Sequence, residues 1–119
     1  MRTCASCGRV MEERASWARR GVVPKYCSAG CRKHKPNRTD RALETAILEL
    51  LDGRAAQASI CPSEAARRVA SDDWRPLMER SRRAARRLVA SGHVVITQQG
   101  RVVDPSTAKG PIRIRKEEA

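Results

Sequence analysis

Four cysteines near the N-terminus have the spacing of a metal site. Cys4 and Cys7 form a C-x2-C pair, and Cys27 and Cys31 form a C-x3-C pair after a gap of 19 residues. Two close pairs of thiols are typical of a structural zinc site, in which each pair holds one side of a tetrahedral ion. Because four protein ligands would leave no open position for water, the spacing predicts a structural zinc ion rather than a catalytic one.

Other uses of these side chains remain open. His34 follows Cys31 by three residues and is an alternative ligand in place of one cysteine. Five cysteines also fit a secreted disulfide framework with one left over, although the chain shows no export signal. The fifth, Cys61, is expected to be a small buried apolar residue, because no base or triad partner is indicated for it. We therefore predict that the protein is not an enzyme.

The charge balance favours a polyanionic partner. The 119 residues carry a net charge of +12, with 25 Lys and Arg against 13 Asp and Glu, and a pI near 10.7. Residues 1–38 hold ten of these bases against two acids, so most of the excess positive charge lies in the first third of the chain.

Neither a small-molecule substrate nor a membrane is expected as a partner. Without an apolar run approaching 18 residues or a signal peptide, a cytoplasmic protein is predicted, and nothing indicates its oligomeric state.

The change in sequence character along the chain predicts two units. Residues 1–35 form the zinc finger, residues 36–40 a basic linker, and residues 41–116 a second domain. The second domain opens with apolar residues at helical spacing, capped by Thr39 or Asp40 and ended by Gly53.

The elements that follow predict an α+β fold, a zinc finger followed by a winged helix-turn-helix domain of three helices and a β-hairpin wing. They are a short strand at 59–61, a helix capped by Ser63, a helix from about Asp73 to Ala90, a hairpin over 94–103, and an edge strand at 112–115.

The third helix of this domain carries an arginine-rich face. Six arginines and one glutamate lie opposite its apolar stripe: Arg75, Arg80, Arg82, Arg83, Arg86, Arg87 and Glu79. The ordinary interpretation is a solvated face. However, like charges four residues apart repel unless a partner neutralises them, and arginine pairs well with phosphates and guanine edges. Since the third helix of a helix-turn-helix enters the major groove, this face is predicted to contact nucleic acid.

We accordingly expect a nucleic-acid-binding protein, with DNA favoured over RNA. The predicted contacts are Arg75, Arg82, Arg83, Arg86 and Arg87 of the helix, Arg101, Arg113 and Arg115 of the wing region, and Arg32 and Lys33 of the finger. Aromatic residues are scarce, which disfavours a stacking platform for single strands. The alternative is an adaptor or inhibitor that binds an acidic surface of a nucleic-acid-processing protein. A thiol enzyme based on Cys61 is the third hypothesis.

Two stretches resemble known bacterial families. Residues 4–33, with Cys-Ala-Ser-Cys-Gly-Arg and Lys-Tyr-Cys-Ser-Ala-Gly-Cys-Arg, resemble a short four-cysteine zinc-finger family of unknown function. The ending of this stretch is also similar, more loosely, to the small zinc protein that inhibits DNA gyrase. Residues 41–115 resemble an uncharacterised winged-helix-like family through Cys-Pro-Ser-Glu-Ala-Ala-Arg, Asp-Trp-Arg-Pro-Leu-Met and Gly-Pro-Ile-Arg-Ile-Arg. The resemblance implies a recurring bacterial fusion and brings no established activity.

Overall fold

A computed structural model of the chain describes residues 2–11, 15–21 and 24–117, which form a mixed α+β structure. The finger comprises a two-stranded antiparallel sheet and two short helices: β1 (Arg2–Thr3), β2 (Val10–Met11), α1 (Ala15–Arg20) and α2 (Ala29–Lys33). The larger unit follows with three helices and four strands: α3 (Arg38–Asp52), β3 (Ser59–Ile60), α4 (Pro62–Val69), α5 (Met78–Ala90), β4 (Val94–Gln98), β5 (Arg101–Val102) and β6 (Arg113–Lys116). No helix in the described ranges has the length and apolarity needed to cross a bilayer.

The second sheet has the strand order β3-β6-β4-β5, and all of its pairs are antiparallel. The predicted hairpin is confirmed, because β4 and β5 are joined by Gln99 and Gly100, both with positive φ, as the tight turns of hairpins require. The prediction that residues 112–115 form an edge strand was wrong. Strand β6 pairs with β3 on one side and β4 on the other, and local alternation of apolar and basic residues could not reveal these distant partners.

The helices α3, α4 and α5 pack together, and α5 also contacts strand β4. Their apolar stripes and the sheet form one core whose largest fully buried side chains include Leu43, Ile47, Leu51, Ile60, Ile96 and Ile114. Complete burial of a leucine or isoleucine contributes roughly 1.5–3 kcal/mol. The larger unit therefore has a hydrophobic core of its own, independent of any metal.

The linker and caps differ from the sequence-based expectation. Asn37, rather than Thr39 or Asp40, caps α3, because the Asn37 Oδ1 accepts from the Asp40 N–H while the Asp40 carboxylate accepts from the Asn37 N–H at 2.9 Å. The predicted linker, residues 36–40, thus includes the first turn of α3. Gly53 ends that helix as predicted.

Prolines set the beginnings of the other two helices. Pro62 occupies the first turn of α4, so Cys61 rather than Ser63 is its N-cap residue. The expected single helix from Asp73 to Ala90 is divided. Because Pro76 favours the first turn of a helix, Arg75–Leu77 forms a short 3-10 turn, and α5 begins only at Met78.

Glu64 explains part of the Pro-Ser-Glu motif. Its carboxylate accepts from the Cys61 N–H at 2.8 Å and from the Arg54 guanidinium. Burial opposes its ionisation, but these two donors outweigh burial and hold the pKa of Glu64 below its usual range.

Replacing Glu64 by glutamine is expected to lower the free energy of unfolding by about 1 kcal/mol at pH 7, because the charged cap is lost. A carboxyl with a lowered pKa stabilises the fold above its unfolded-state pKa and stops doing so as the pH falls through its folded-state pKa. Urea unfolding should therefore show a difference at pH 7 that disappears well below the usual glutamate pKa of about 4.3. If the difference in unfolding free energy between the two proteins does not change with pH, the Glu64 carboxylate does not stabilise the fold through its charge.

Candidate metal centre and its arginine platform

The four N-terminal cysteines converge on one point. Their Sγ atoms all lie within 4.8 Å of one another. The Cys7 and Cys27 sulfurs are 3.7 Å apart, and those of Cys27 and Cys31 are 3.6 Å apart. A zinc ion with Zn–S bonds of about 2.3 Å places its tetrahedral sulfurs about 3.8 Å from each other. The cluster could therefore hold a metal ion such as zinc.

The local backbone positions these thiols. Cys4 and Cys7 lie in the loop between β1 and β2, where the Gly8 N–H donates to the Cys4 carbonyl at 2.9 Å. Cys31 lies in α2, whose N-cap Ser28 accepts from the Cys31 N–H at 3.1 Å. The Cys27 N–H donates to the Cys4 Sγ at 3.3 Å, as metal-binding knuckles require. His34 is not part of the cluster, and its carbonyl instead accepts from the Ser6 hydroxyl.

The electrostatic environment divides the thiols into two kinds. Burial disfavours the Cys31 thiolate, but donors from Ser28, Cys27 and Arg83 outweigh it and lower the pKa of Cys31 to about 6. The pKa of Cys4 is also lowered, since backbone N–H groups outweigh its burial. Burial and the neighbouring thiols raise the pKa of Cys27 to about 12, and burial also raises that of Cys7. Metal binding to this cluster therefore releases protons.

The arginine-rich face of α5 packs against the back of the cysteine loop. Arg86 Nε donates to the Cys7 carbonyl at 2.6 Å, and Arg87 Nη1 donates to the Ser6 carbonyl at 2.7 Å. Arg83 Nη2 donates to the Ser6 hydroxyl at 2.6 Å and lies 3.7 Å from the Cys31 Sγ. We call these contacts the docking interface. Hydrogen bonds from a charged guanidinium are each worth about 1.5–3 kcal/mol, so the finger is held on α5 by several strong contacts.

Gly8 allows the backbone of the cysteine loop to approach the backbone of α5 closely. A Cβ added to Gly8 would lie 2.5 Å from the Arg86 carbonyl carbon and 2.6 Å from the Arg87 nitrogen. Its φ of +77° also favours glycine. Both reasons require glycine at this position, and only the second could have been suspected from the sequence.

The arginines of the docking interface are largely enclosed. The side chains of Arg86 and Arg87 are 6% and 8% exposed. Glu79 lies 3.3 Å from Arg86, and Glu44 lies 2.9 Å from Arg87. Burial is the main cause of the lowered pKa of Arg86. While the finger is docked, neither guanidinium is free to reach a phosphate, which corrects the expectation that α5 presents them to nucleic acid.

The other predicted contacts of the larger unit have varied surroundings. Arg82 donates to the Gly110 carbonyl at 3.0 Å, and Arg75 lies 4.7 Å from the centre of the Trp74 ring. Arg113 is bonded to Ser59, in a structural role. Arg115 lies in the central strand β6, and its Nε is buried without a hydrogen-bond partner among the described residues. Arg101 is exposed beside the hairpin turn.

The finger presents a second group of basic residues that faces solvent. We call this group the finger surface; its members are Lys25, Arg32, Lys33 and Lys35. Among the residues that the structure describes, none of them has a carboxylate oxygen within 4.0 Å. The predicted contacts Arg32 and Lys33 are thus exposed and available.

Sequence reasoning missed Ser6, which organises this region, and Arg67, which contacts Trp74 in the larger unit. Ser6 is 1% exposed and connects three segments, because its hydroxyl donates to the His34 carbonyl and accepts from Arg83. Arg67 stacks on Trp74 at 4.4 Å, beside Arg75. No motif marks Ser6, since its partners lie 28 and 77 residues away along the chain.

Comparison with known families identifies both parts of the chain. A family described as "Protein of unknown function (DUF3253)" matches residues 40–117, and one described as "Uncharacterized protein conserved in bacteria (DUF2256)" matches residues 1–34. These matches confirm the expected fusion of two uncharacterised families. They do not support the looser likeness to the gyrase inhibitor. No curated protein matches the chain.

Proposed function

The chain belongs to the DUF3253 family, with a DUF2256 segment before it, and from its geometry we propose that it is a non-enzymatic nucleic-acid-binding protein. The finger surface makes the main contact with the phosphates. Helix α5 is the platform on which the finger is mounted. The single observation that carries the proposal is the cluster of exposed cations on the finger that lack a carboxylate partner among the described residues.

A structural zinc ion at the four cysteines completes this proposal. Four thiolates and one Zn²⁺ carry a net charge of −2. Arg83, Arg86 and Arg87, which contact the cysteine loop, offset that charge. Because all four ligands come from the protein, the ion has no open position for chemistry. The proposed zinc therefore fixes the finger and leaves the outer cations free.

The order of elements in the larger unit supports a winged-helix interpretation. A helix, a short strand, two helices and a hairpin follow one another, so α5 stands where the recognition helix of such domains stands. In this chain the finger covers part of that helix. We therefore propose that nucleic acid binds the finger surface, and not the face of α5 that would enter the major groove in other winged-helix domains. Arg75, Arg82 and Arg101 are left as accessory contacts.

Phosphate binding follows from the charge of the finger surface. Lysine and arginine side chains that displace counterions from a strand gain affinity that falls steeply with salt concentration. These contacts carry no sequence information, so we expect binding to duplex DNA and to other nucleic acids of similar charge.

Reversing two charges of the finger surface tests the proposal. The double change Arg32→Glu and Lys33→Glu is expected to weaken duplex DNA binding by at least about tenfold and to reduce the slope of log K against log salt by about 2, since each phosphate contact contributes roughly 0.9. Fluorescence anisotropy of a labelled duplex, measured between about 50 and 200 mM salt, provides both quantities.

A matched control carries the same change of net charge at other exposed sites. Arg68→Glu with Lys109→Glu alters two exposed bases outside the finger. If this control weakens binding as much as the finger variant, the protein behaves as a general polycation and the proposed site is wrong. If the unaltered protein binds no nucleic acid above background, the proposal fails, and an acidic protein partner becomes the hypothesis to pursue.

A further inference from the structure

A cleft lies where the docked finger meets the larger unit. Its volume is about 760 Å³, within the range of roughly 300–1,000 Å³ that is common for ligand sites. The finger contributes Lys33, His34 and Lys35 to its lining, and α3 and α5 contribute Asp40, Arg80 and Arg83. Because its two walls belong to different segments, the cleft depends on the docking interface.

The acidic groups in the cleft are already paired. Asp40 Oδ1 accepts from Arg80 Nε at 2.9 Å, and Arg80 also donates to the Asn37 side chain at 2.8 Å. Glu79, the other acid, lies 3.3 Å from Arg86. These contacts neutralise both carboxylates and hold Arg80 in place.

The cationic groups from the finger are in excess. Lys33 and Lys35 have no carboxylate oxygen within 4.0 Å among the described residues. Cys31 also lines the cleft, and Arg83 contacts both its sulfur and the Ser6 hydroxyl. The Arg83 guanidinium therefore offsets part of the thiolate charge at this side of the cleft. Lys33 and Lys35 line this concave space, and the Lys35 ammonium also lies 5.9 Å from the centre of the Tyr26 ring.

We infer that this cleft binds the phosphates of a single nucleic-acid strand, an inference that rests on the proposed function and specifies its ligand. A major groove alone is about 12 Å wide, so a whole duplex is too large for a cleft of about 760 Å³, whereas one or two nucleotides fit. Lys33 and Lys35 supply phosphate contacts. His34 and Asn37 line the same space and offer hydrogen-bonding groups to a sugar or base.

The test compares two variants with equal loss of charge. Lys33→Gln with Lys35→Gln removes two cleft cations, and Lys25→Gln with Arg32→Gln removes two exposed finger cations that do not line the cleft. All four side chains are exposed, so both variants should fold. The probe is a labelled oligothymidylate of eight nucleotides. We expect the cleft variant to bind it at least about fivefold more weakly than the control and with a salt slope lower by about 1.4, at roughly 0.7 for each single-strand phosphate.

The outcomes separate this inference from the proposed function. Greater loss in the cleft variant supports the cleft and the finger surface together. Equal losses in both variants overturn the cleft and leave the finger surface as a diffuse site. No loss in either variant overturns both.

A second measurement locates the strand directly. In a titration of the unaltered protein with the same oligonucleotide, the side-chain amide signal of Asn37 and the Nε–H signal of Arg80 should shift. Shifts confined to residues outside the cleft, with these two signals unchanged, would contradict the inference even if the affinities agreed with it.

Discussion

Replacing Gly8 by alanine is expected to release the finger from α5 while the cysteine cluster keeps its metal. The new Cβ would lie 2.5–2.6 Å from backbone and Cβ atoms of Arg86 and Arg87, and helix backbone cannot move aside. A residue other than glycine at a φ of +77° costs only about 1 kcal/mol more, far less than the 10–16 kcal/mol of structural zinc binding. The steric conflict therefore acts on the docking interface and spares the metal site.

Hydrogen exchange of the arginine side chains measures this release. In the unaltered protein the Arg86 Nε–H, bonded to the Cys7 carbonyl, and the Arg87 Nη1–H, bonded to the Ser6 carbonyl, should be protected. In Gly8→Ala their exchange should be at least about a hundredfold faster, since loss of two charge-assisted hydrogen bonds is worth about 3 kcal/mol or more. Metal content should remain one zinc per chain.

Gly21→Ala is the matched control. Gly21 also has a positive φ, +65°, but a Cβ there would meet none of the described residues within 4 Å. The Gly21→Ala change imposes the same cost of a non-glycine residue at positive φ, but without a steric collision. Hydrogen exchange of the Arg86 and Arg87 side chains should therefore stay slow. If Gly8→Ala and Gly21→Ala behave alike, the finger is not docked on α5 in solution.

Removing the metal is expected to unfold the finger and leave the larger unit folded. Among the residues that the structure describes, the buried cluster of the finger consists of Cys4, Cys7, Met11 and Cys31, with Tyr26 packed against it, too little apolar surface for independent stability. The larger unit has its own core around Ile47 and Ile114. With a strong chelator, amide signals of the finger should collapse to unfolded positions, while those of the larger unit stay dispersed. The melting temperature of the larger unit should fall, because Arg86 and Arg87 lose their carbonyl partners in the finger.

Single cysteine variants give the control for metal removal. Cys7→Ser should reproduce the effect of the chelator, because it removes one of the four ligands. Cys61→Ser should not, since Cys61 lies outside the cluster and serine is a better N-cap than cysteine for α4. A finger that stays folded without metal, or a metal content that depends on Cys61, would contradict the assignment.

Features set by neighbouring residues could be predicted from the sequence. The four cysteines, the helix ended by Gly53 and the hairpin turned by Gln99 and Gly100 each depend on residues close in the chain. The caps could not be assigned from the sequence, because Asn37 and Cys61 compete with other suitable residues only two or three positions away. Pro76 is also a local signal, and it lies in the 3-10 turn that precedes α5 where a single longer helix was predicted.

Features set by distant residues could not be predicted. Arg86 and Cys7 are separated by 79 positions, and nothing local shows that a finger will occupy the arginine face of α5. The excess of arginine on one face predicts a neutralising partner, and nucleic acid was the partner expected from the sequence. Inside the chain, Glu79 and Glu44 neutralise Arg86 and Arg87. The remaining partners are carbonyl groups and a hydroxyl group in the cysteine loop, which no charge pattern reveals. The central position of β6 likewise depends on strands that lie far away in the sequence.

The most direct test of this account is a nucleic-acid titration of the zinc-loaded protein, followed by the backbone signals of residues 31–35 and by the signals of the Arg86 Nε–H and the Arg87 Nη1–H, which bond the finger. If nucleic acid binds the finger surface of the docked molecule, the backbone signals shift in proportion to bound strand, and the two arginine signals remain in place and protected. If Arg86 and Arg87 shift and lose protection while residues 31–35 stay unchanged, the strand binds α5 in place of the finger, and the proposed binding surface is wrong.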